Sequence, residues 1–159
     1  MGTGTTTTRL IDAFTSAALD AGRAIMDVYR AGPTASYKAD SSPVTEADEQ
    51  AERIILAALR QAVPEIPVVA EEAVAAGRIP VIGDGPFILV DPLDGTKEFI
   101  ARRDEFTVNI ALIRDGAPVL GVVYAPALGL AYTGPFRQGR ARARRRRRAP
   151  VRRPGSGRY

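Results

Sequence analysis

The chain has 159 residues and contains no cysteine and no histidine, which excludes disulfides, thiolate metal sites, cysteine nucleophiles and the commonest general base. Catalysis, if present, must rest on carboxylates, hydroxyls, amines, backbone dipoles or a hard cation such as Mg²⁺, which prefers oxygen ligands. The formal charge of +4 misleads, because residues 137–159 hold 11 arginines and no acid, leaving residues 1–136 with 11 basic against 18 acidic residues, a net of −7.

This length suits one domain with a real core. The opening "MGTGTTTTRL" lacks a basic region followed by an apolar stretch, and no segment approaches the roughly 18 apolar residues that span a bilayer. A soluble, cytoplasmic protein with no membrane span is therefore expected, while its oligomeric state is not legible.

Leu10, Phe14, Ala17, Ala18, Ala21, Ile25, Val28 and Tyr29 recur at three- and four-residue intervals, which predicts an amphipathic helix ended by "AGP" at 31–33. "TASYKADSSPV" reads as a linker with a short strand near Tyr37. "TEAD" at 45–48 has the spacing of a capping box, and Ala47, Ala51, Ile54, Ile55, Ala58 and Leu59 form a second helical stripe that Pro64 stops. "IPVVAEEA" reads as a brief strand ending in two glutamates, and "FILV" at 87–90 as a buried strand. "GTKEFIARR" predicts one or two helical turns.

"FTVNIALI" at 106–113 and "PVLGVVYA" at 118–125 flank Asp115-Gly116, a hairpin signal, and "LGLAYTG" adds a further strand. The expected class is α+β, a helix pair packed on a largely antiparallel sheet. Residues 1–136 form the domain, and 137–159 read as an arginine-rich disordered tail, since they carry almost no aliphatic residue.

The chemistry concentrates in "VDPLDGTKEF" at 90–99. Asp91 closes an apolar strand, where its charge is costly unless paired or coordinated. Pro92 fixes the local backbone, and Asp94 returns a second carboxylate three residues on. The Leu93 carbonyl between them can serve as a neutral ligand. Gly95 and Thr96 open the next helix, so their amides offer a phosphate site beside a cation site. The plain structural alternative is a turn in which Asp94 caps the helix and Asp91 forms an Asx turn.

Taken with "VVAEEA" and "KADSSPVTEAD", "DPLDGTKEF" resembles the inositol monophosphatase superfamily of Mg²⁺-dependent phosphatases, and within it the CysQ-type 3′(2′),5′-bisphosphate nucleotidases. The resemblance spans about residues 10–134, and "KEF" after Thr96 points to that branch. It implies a layered α/β sandwich of which this chain is the N-terminal portion. It also implies two or three Mg²⁺ ions per site in an intact member, a small phosphorylated substrate and phosphomonoester hydrolysis. Position by position, it implies that Glu71, Asp91, the Leu93 carbonyl and Asp94 ligate metal, with Asp91 bridging two ions. Thr96 would orient the attacking water with Asp48 accepting from its hydroxyl, and the Gly95 and Thr96 amides would hold substrate oxygens.

Each supporting residue has a plainer reading as well. Asp48 closes the capping box, Glu71 and Glu72 could be a solvated strand end, Lys97 and Glu98 an exposed first turn, and Lys38 a solvated loop lysine. The resemblance also implies a second α/β region with a further metal-ligating aspartate, and no such region follows the hairpin. The expectation is a frameshift in a gene of high G+C content and a weak or absent phosphatase activity. Nucleic-acid or polyanion binding through the arginines is the alternative of another class, and the lack of interleaved aromatics for base stacking speaks against it.

Overall fold

The computed structural model describes residues 3–38 and 43–136. The arginine-rich segment 137–159, expected to be disordered, and the middle of the linker at 39–42 lie outside the described residues. The period running from Leu10 to Tyr29 is the buried face of α1, Thr3–Ala31, and Gly32, at φ 95°, closes it by donating its amide to the Val28 carbonyl. The helix begins earlier than the apolar stripe does. Its first turns lie beside the end of the second helix, where Arg9 donates to the Ala62 carbonyl, a cation meeting a helix C-terminus.

The linker supplies two short strands, β1, Ala35–Tyr37, and β2, Pro43–Thr45, paired antiparallel. The capping box forms as its sequence promised: Thr45 accepts from the Ala47 amide, and Asp48 Oδ2 accepts from the Thr45 amide at 2.8 Å. It opens α2, Glu46–Ala62, which ends two residues before Pro64.

After it come β3, Val68–Ala70, and a five-residue helix α3, Glu71–Ala75, so the two glutamates open a helix instead of ending a strand. β4, Phe87–Asp94, runs past the four residues expected of it and into α4, Thr96–Ile100. β5, Thr107–Arg114, and β6, Ala117–Ala125, make the hairpin, with Asp115 at φ 52° and Gly116 at φ 72°, the two positive angles of a type I′ turn. β7, Leu130–Pro135, completes a sheet of order β3-β4-β5-β6-β7, antiparallel except for the parallel β3–β4 pair.

One face of this sheet presents Ile88, Val90, Val108, Ile110, Leu112, Leu120 and Val122 to α1 and α2, and these residues join the helical stripes in a single core. α1 packs on β5, β6 and β7, and α2 on β4. Tyr29, Phe99 and Phe106 meet with ring centroids 5.1–5.2 Å apart, and the Tyr29 hydroxyl donates to Asp104 at 3.0 Å. Those contacts fasten the end of α1 to the turn that follows α4, and so fix the strand-to-helix segment of greatest chemical interest. The expected α+β class, with its helix pair on a largely antiparallel sheet, is the observed one.

Candidate metal-dependent active site

Asp91 and Asp94 are three residues apart, a spacing that would put them on opposite faces of a regular strand. The ladder is not regular there. Asp91 pairs with Asn109 and Asp94 with Thr107, so Pro92 and Leu93 together oppose a single residue of β5. This is a β-bulge, and Pro92, which has no amide to contribute, occupies it. Asn109 and Thr107 are two apart and share a face, and the bulge therefore brings both aspartates onto that same face, away from α1 and α2. There the Asn109 amide donates to Asp94 Oδ2 at 3.2 Å, and the Thr107 hydroxyl reaches Asn109 Oδ1 at 3.2 Å.

Asp91 Oδ1 is buried and has no hydrogen-bond partner among the described residues. Its carboxyl is pushed up to about 7, first by burial, then by the charges of Glu71 and Asp94, against a hydrogen bond from the Leu93 amide. A buried acceptor without a donor, near two further carboxylates, has the chemistry that a cation would compensate. The donors are all hard oxygens, which suits Mg²⁺. Among the described residues no three acidic side chains are drawn together as a metal cage, and the fit to the ion rests on donor chemistry and on the unpaired oxygen alone.

Lys38 is not the solvated loop lysine of the plainer reading. Its ammonium lies 2.9 Å from Glu71 Oε1 and 2.8 Å from Glu72 Oε1, with its side chain only 15% exposed. Burial works against its charge, but the two carboxylates outweigh burial and raise its pKa. Glu71 and Glu72 lead α3 and hold that lysine between them, Glu71 exposed to solvent and Glu72 largely buried. Lys97 is exposed, as an outer first-turn residue should be.

Asp48 makes the capping contact and the Thr96 contact at once. One oxygen closes the capping box, and the other, Oδ1, lies 3.0 Å from the Thr96 hydroxyl, which is also 3.2 Å from the Leu93 carbonyl. A hydroxyl has one proton, and the charged acceptor makes the stronger bond. Asp48 is 2% exposed and its pKa is raised by burial, against the bonds from Thr45 and Thr96. Gly95 turns the chain at φ 96°, and a side chain there would put Cβ 2.8 Å from the Glu105 carbonyl oxygen. Only glycine leaves that bend open.

Sequence reasoning passed over two residues. Asn109 sits in an unremarked strand position, and nothing local to the sequence pairs it with Asp94. Glu52 lies one helical turn after Asp48, beside Ala51 and Ile55, and is 4% exposed. An acid adjoining the apolar stripe was the available signal.

A double carboxylate on a bulged strand, a glycine bend and a buried aspartate holding a threonine hydroxyl are the features that the motif resemblance to metal-dependent phosphatases singles out. The comparisons agree: residues 7–156 match the model of the inositol monophosphatase family, and the chain belongs to that family. Over 117 residues it is 54% identical to the 3′(2′),5′-bisphosphate nucleotidase CysQ of Salmonella typhimurium, covering 72% of this chain and 47% of that one. With CysQ of Escherichia coli K12 the identity is 47% over 126 residues, covering 78% and 51%. Among solved structures, an extragenic suppressor protein suhB from Bartonella henselae superposes with a TM-score of 0.73 at 31% identity, covering 87% of this chain and 52% of that one. CysQ from Bacteroides thetaiotaomicron gives 0.62 at 38% identity, covering 81% and 46%. The chain spans about half the length of the curated relatives it matches.

Proposed function

We propose that this chain carries the metal-binding part of a Mg²⁺-dependent phosphomonoesterase whose substrate is a 3′(2′),5′-bisphosphate nucleotide, with 3′-phosphoadenosine 5′-phosphate giving AMP and phosphate. The observation that carries this reading is the bulge that turns Asp91 and Asp94 to one face while leaving Asp91 Oδ1 buried and without a donor. The similarity to CysQ nucleotidases supports the substrate class.

In this reading Glu71, Asp91, Asp94 and the Leu93 carbonyl hold the cations. Bound there, Mg²⁺ supplies a water of lowered pKa and charge compensation for the leaving oxygen. Asp48 fixes the Thr96 hydroxyl by accepting its proton in a hydrogen bond, which leaves a Thr96 lone pair to accept from the attacking water and aim it. The bend at Gly95 lets the Gly95 and Thr96 amides approach the phosphoryl oxygens without a side chain in the way. No side-chain base of pKa near 7 is needed, which suits a protein without histidine. The match covers about half of the curated relatives' length, and these 159 residues by themselves should turn over slowly.

Phosphate release from 3′-phosphoadenosine 5′-phosphate and from inositol 1-phosphate, with and without Mg²⁺, tests the reading. It should be measured for this chain and for residues 1–134 joined to the C-terminal half of the Salmonella CysQ. The joined protein should hydrolyse the nucleotide in preference to the inositol phosphate and only with Mg²⁺, and Asp91→Asn should abolish turnover. Hydrolysis of neither compound would end the assignment, and preference for inositol 1-phosphate would move it to the other branch.

A further inference from the structure

α2 carries two buried carboxylates one turn apart, and each reaches the start of a different short helix. Asp48 accepts from Thr96, the first residue of α4, at 3.0 Å. Glu52 Oε2 accepts from the amide of Glu72, the second residue of α3, at 2.7 Å, and the Ala73 amide also donates to Glu52. The residue in the N-cap position of α3 is Ala70, whose side chain can cap nothing. A helix of one turn leaves its first amides without partners of its own. Glu52, 20 residues earlier in the chain, takes the place of the missing cap.

We propose that Glu52 is a positioning residue for Glu71: by binding the first amides of α3 it fixes the turn on which the Glu71 carboxylate is carried toward Asp91. The inference rests on the metal-site reading above for what Glu71 does, and on geometry alone for what Glu52 does. Retaining this acid has a cost, because Glu52 is 4% exposed; the charge of Arg78 favours its ionised form, and the charge of Glu71 opposes it less strongly. An acid held against the cost of burial by two backbone amides, with the charge of Arg78 in support, is an anchor. With Asp48 it makes α2 the common spine of both turns, β3–α3 and β4–α4, and so sets the spacing between Glu71 and Thr96.

The test uses the full 159-residue chain, with Mn²⁺ as the probe, followed by loss of its free aquo-ion signal in electron paramagnetic resonance, alongside amide hydrogen exchange by NMR. Glu52→Ala should speed exchange at Glu72 and Ala73 at least tenfold and weaken Mn²⁺ binding roughly 10–100-fold, the range for losing a supporting partner of a metal ligand. Glu52→Gln, which keeps an acceptor oxygen, should recover most of both. Leu120→Ala, a core truncation on β6 remote from α3, controls for lost stability and should change neither by more than about threefold at temperatures where it stays folded. Unchanged exchange at Glu72 and Ala73 in Glu52→Ala would overturn the proposal, as would a Mn²⁺ loss no larger than that of Leu120→Ala. Absence of Mn²⁺ binding by the unaltered chain would count against the metal-site reading, and the exchange result would then decide the role of Glu52 by itself.

Discussion

Asp91 is where folding and chemistry oppose each other. Its carboxyl is raised from an ordinary 3.8 to about 7, because burial and the charges of Glu71 and Asp94 disfavour the ionised form. A folded pKa above the unfolded one means that the native state binds the proton more tightly, so this group's contribution is most favourable below the unfolded value and is lost as pH rises through about 7. Metal-free protein should therefore lose thermal stability between pH 5 and pH 8. Asp91→Asn, which keeps the shape and removes the charge, should flatten that loss and stabilise the metal-free chain at pH 8 by roughly 1–2 kcal/mol. Thermal melts across pH in the presence of a chelator check this. A variant no more stable than the parent at pH 8 would show that the carboxylate is compensated by groups other than a metal.

At the level of elements, the strand-to-helix turn depends on the left-handed bend at Gly95. Two penalties coincide there: φ is 96°, and an added Cβ would lie 2.8 Å from the Glu105 carbonyl oxygen. Gly116 in the hairpin has only the first, with φ 72° and open space around it. Gly95→Ala should therefore cost about 2–4 kcal/mol in urea denaturation and Gly116→Ala about 1–2 kcal/mol, the difference being the backbone collision. Equal losses would mean that the segment Glu105–Phe106 yields. The hairpin and the capping box were legible in the sequence because their causes are local: two residues suited to positive φ, and an acid three residues after a threonine. Both helical stripes were legible for the same reason. The continuation of β4 through Pro92 was not, since the bulge is set by its register against β5. The helix α3 was hidden because its cap comes from Glu52, and the Lys38 pairing was hidden because its partners lie 33 and 34 residues away. The candidate site residues were legible as a set from their motifs, but the reason Asp91 and Asp94 share a face exists only in the sheet.

Across the whole molecule, the sheet has one face covered by α1 and α2 and another that is open among the described residues. On the open face Leu89 is 45% exposed, Val123 38% and Tyr132 42%. Ladder partners share a face, so Val123 and Tyr132 lie in register with Asn109 and Asp91, and Leu89 with Ala111 and Gly121. The Phe136 ring lies over Gly121, where an added Cβ would come within 3.0 Å of it. The apolar patch is thus continuous with the acidic site, and a surface of that kind favours association. Sedimentation velocity over a range of concentrations should show self-association of the 159-residue chain. A Leu89→Lys, Val123→Lys double variant should shift it toward monomer, while its melting temperature stays within the small range expected of exposed substitutions. Adding like charges to facing surfaces opposes their contact without touching the core, which is formed on the other side of the same strands. Self-association unchanged in the double variant would place the contact elsewhere, with the free edge of β7 as the next surface to test by the same substitution strategy.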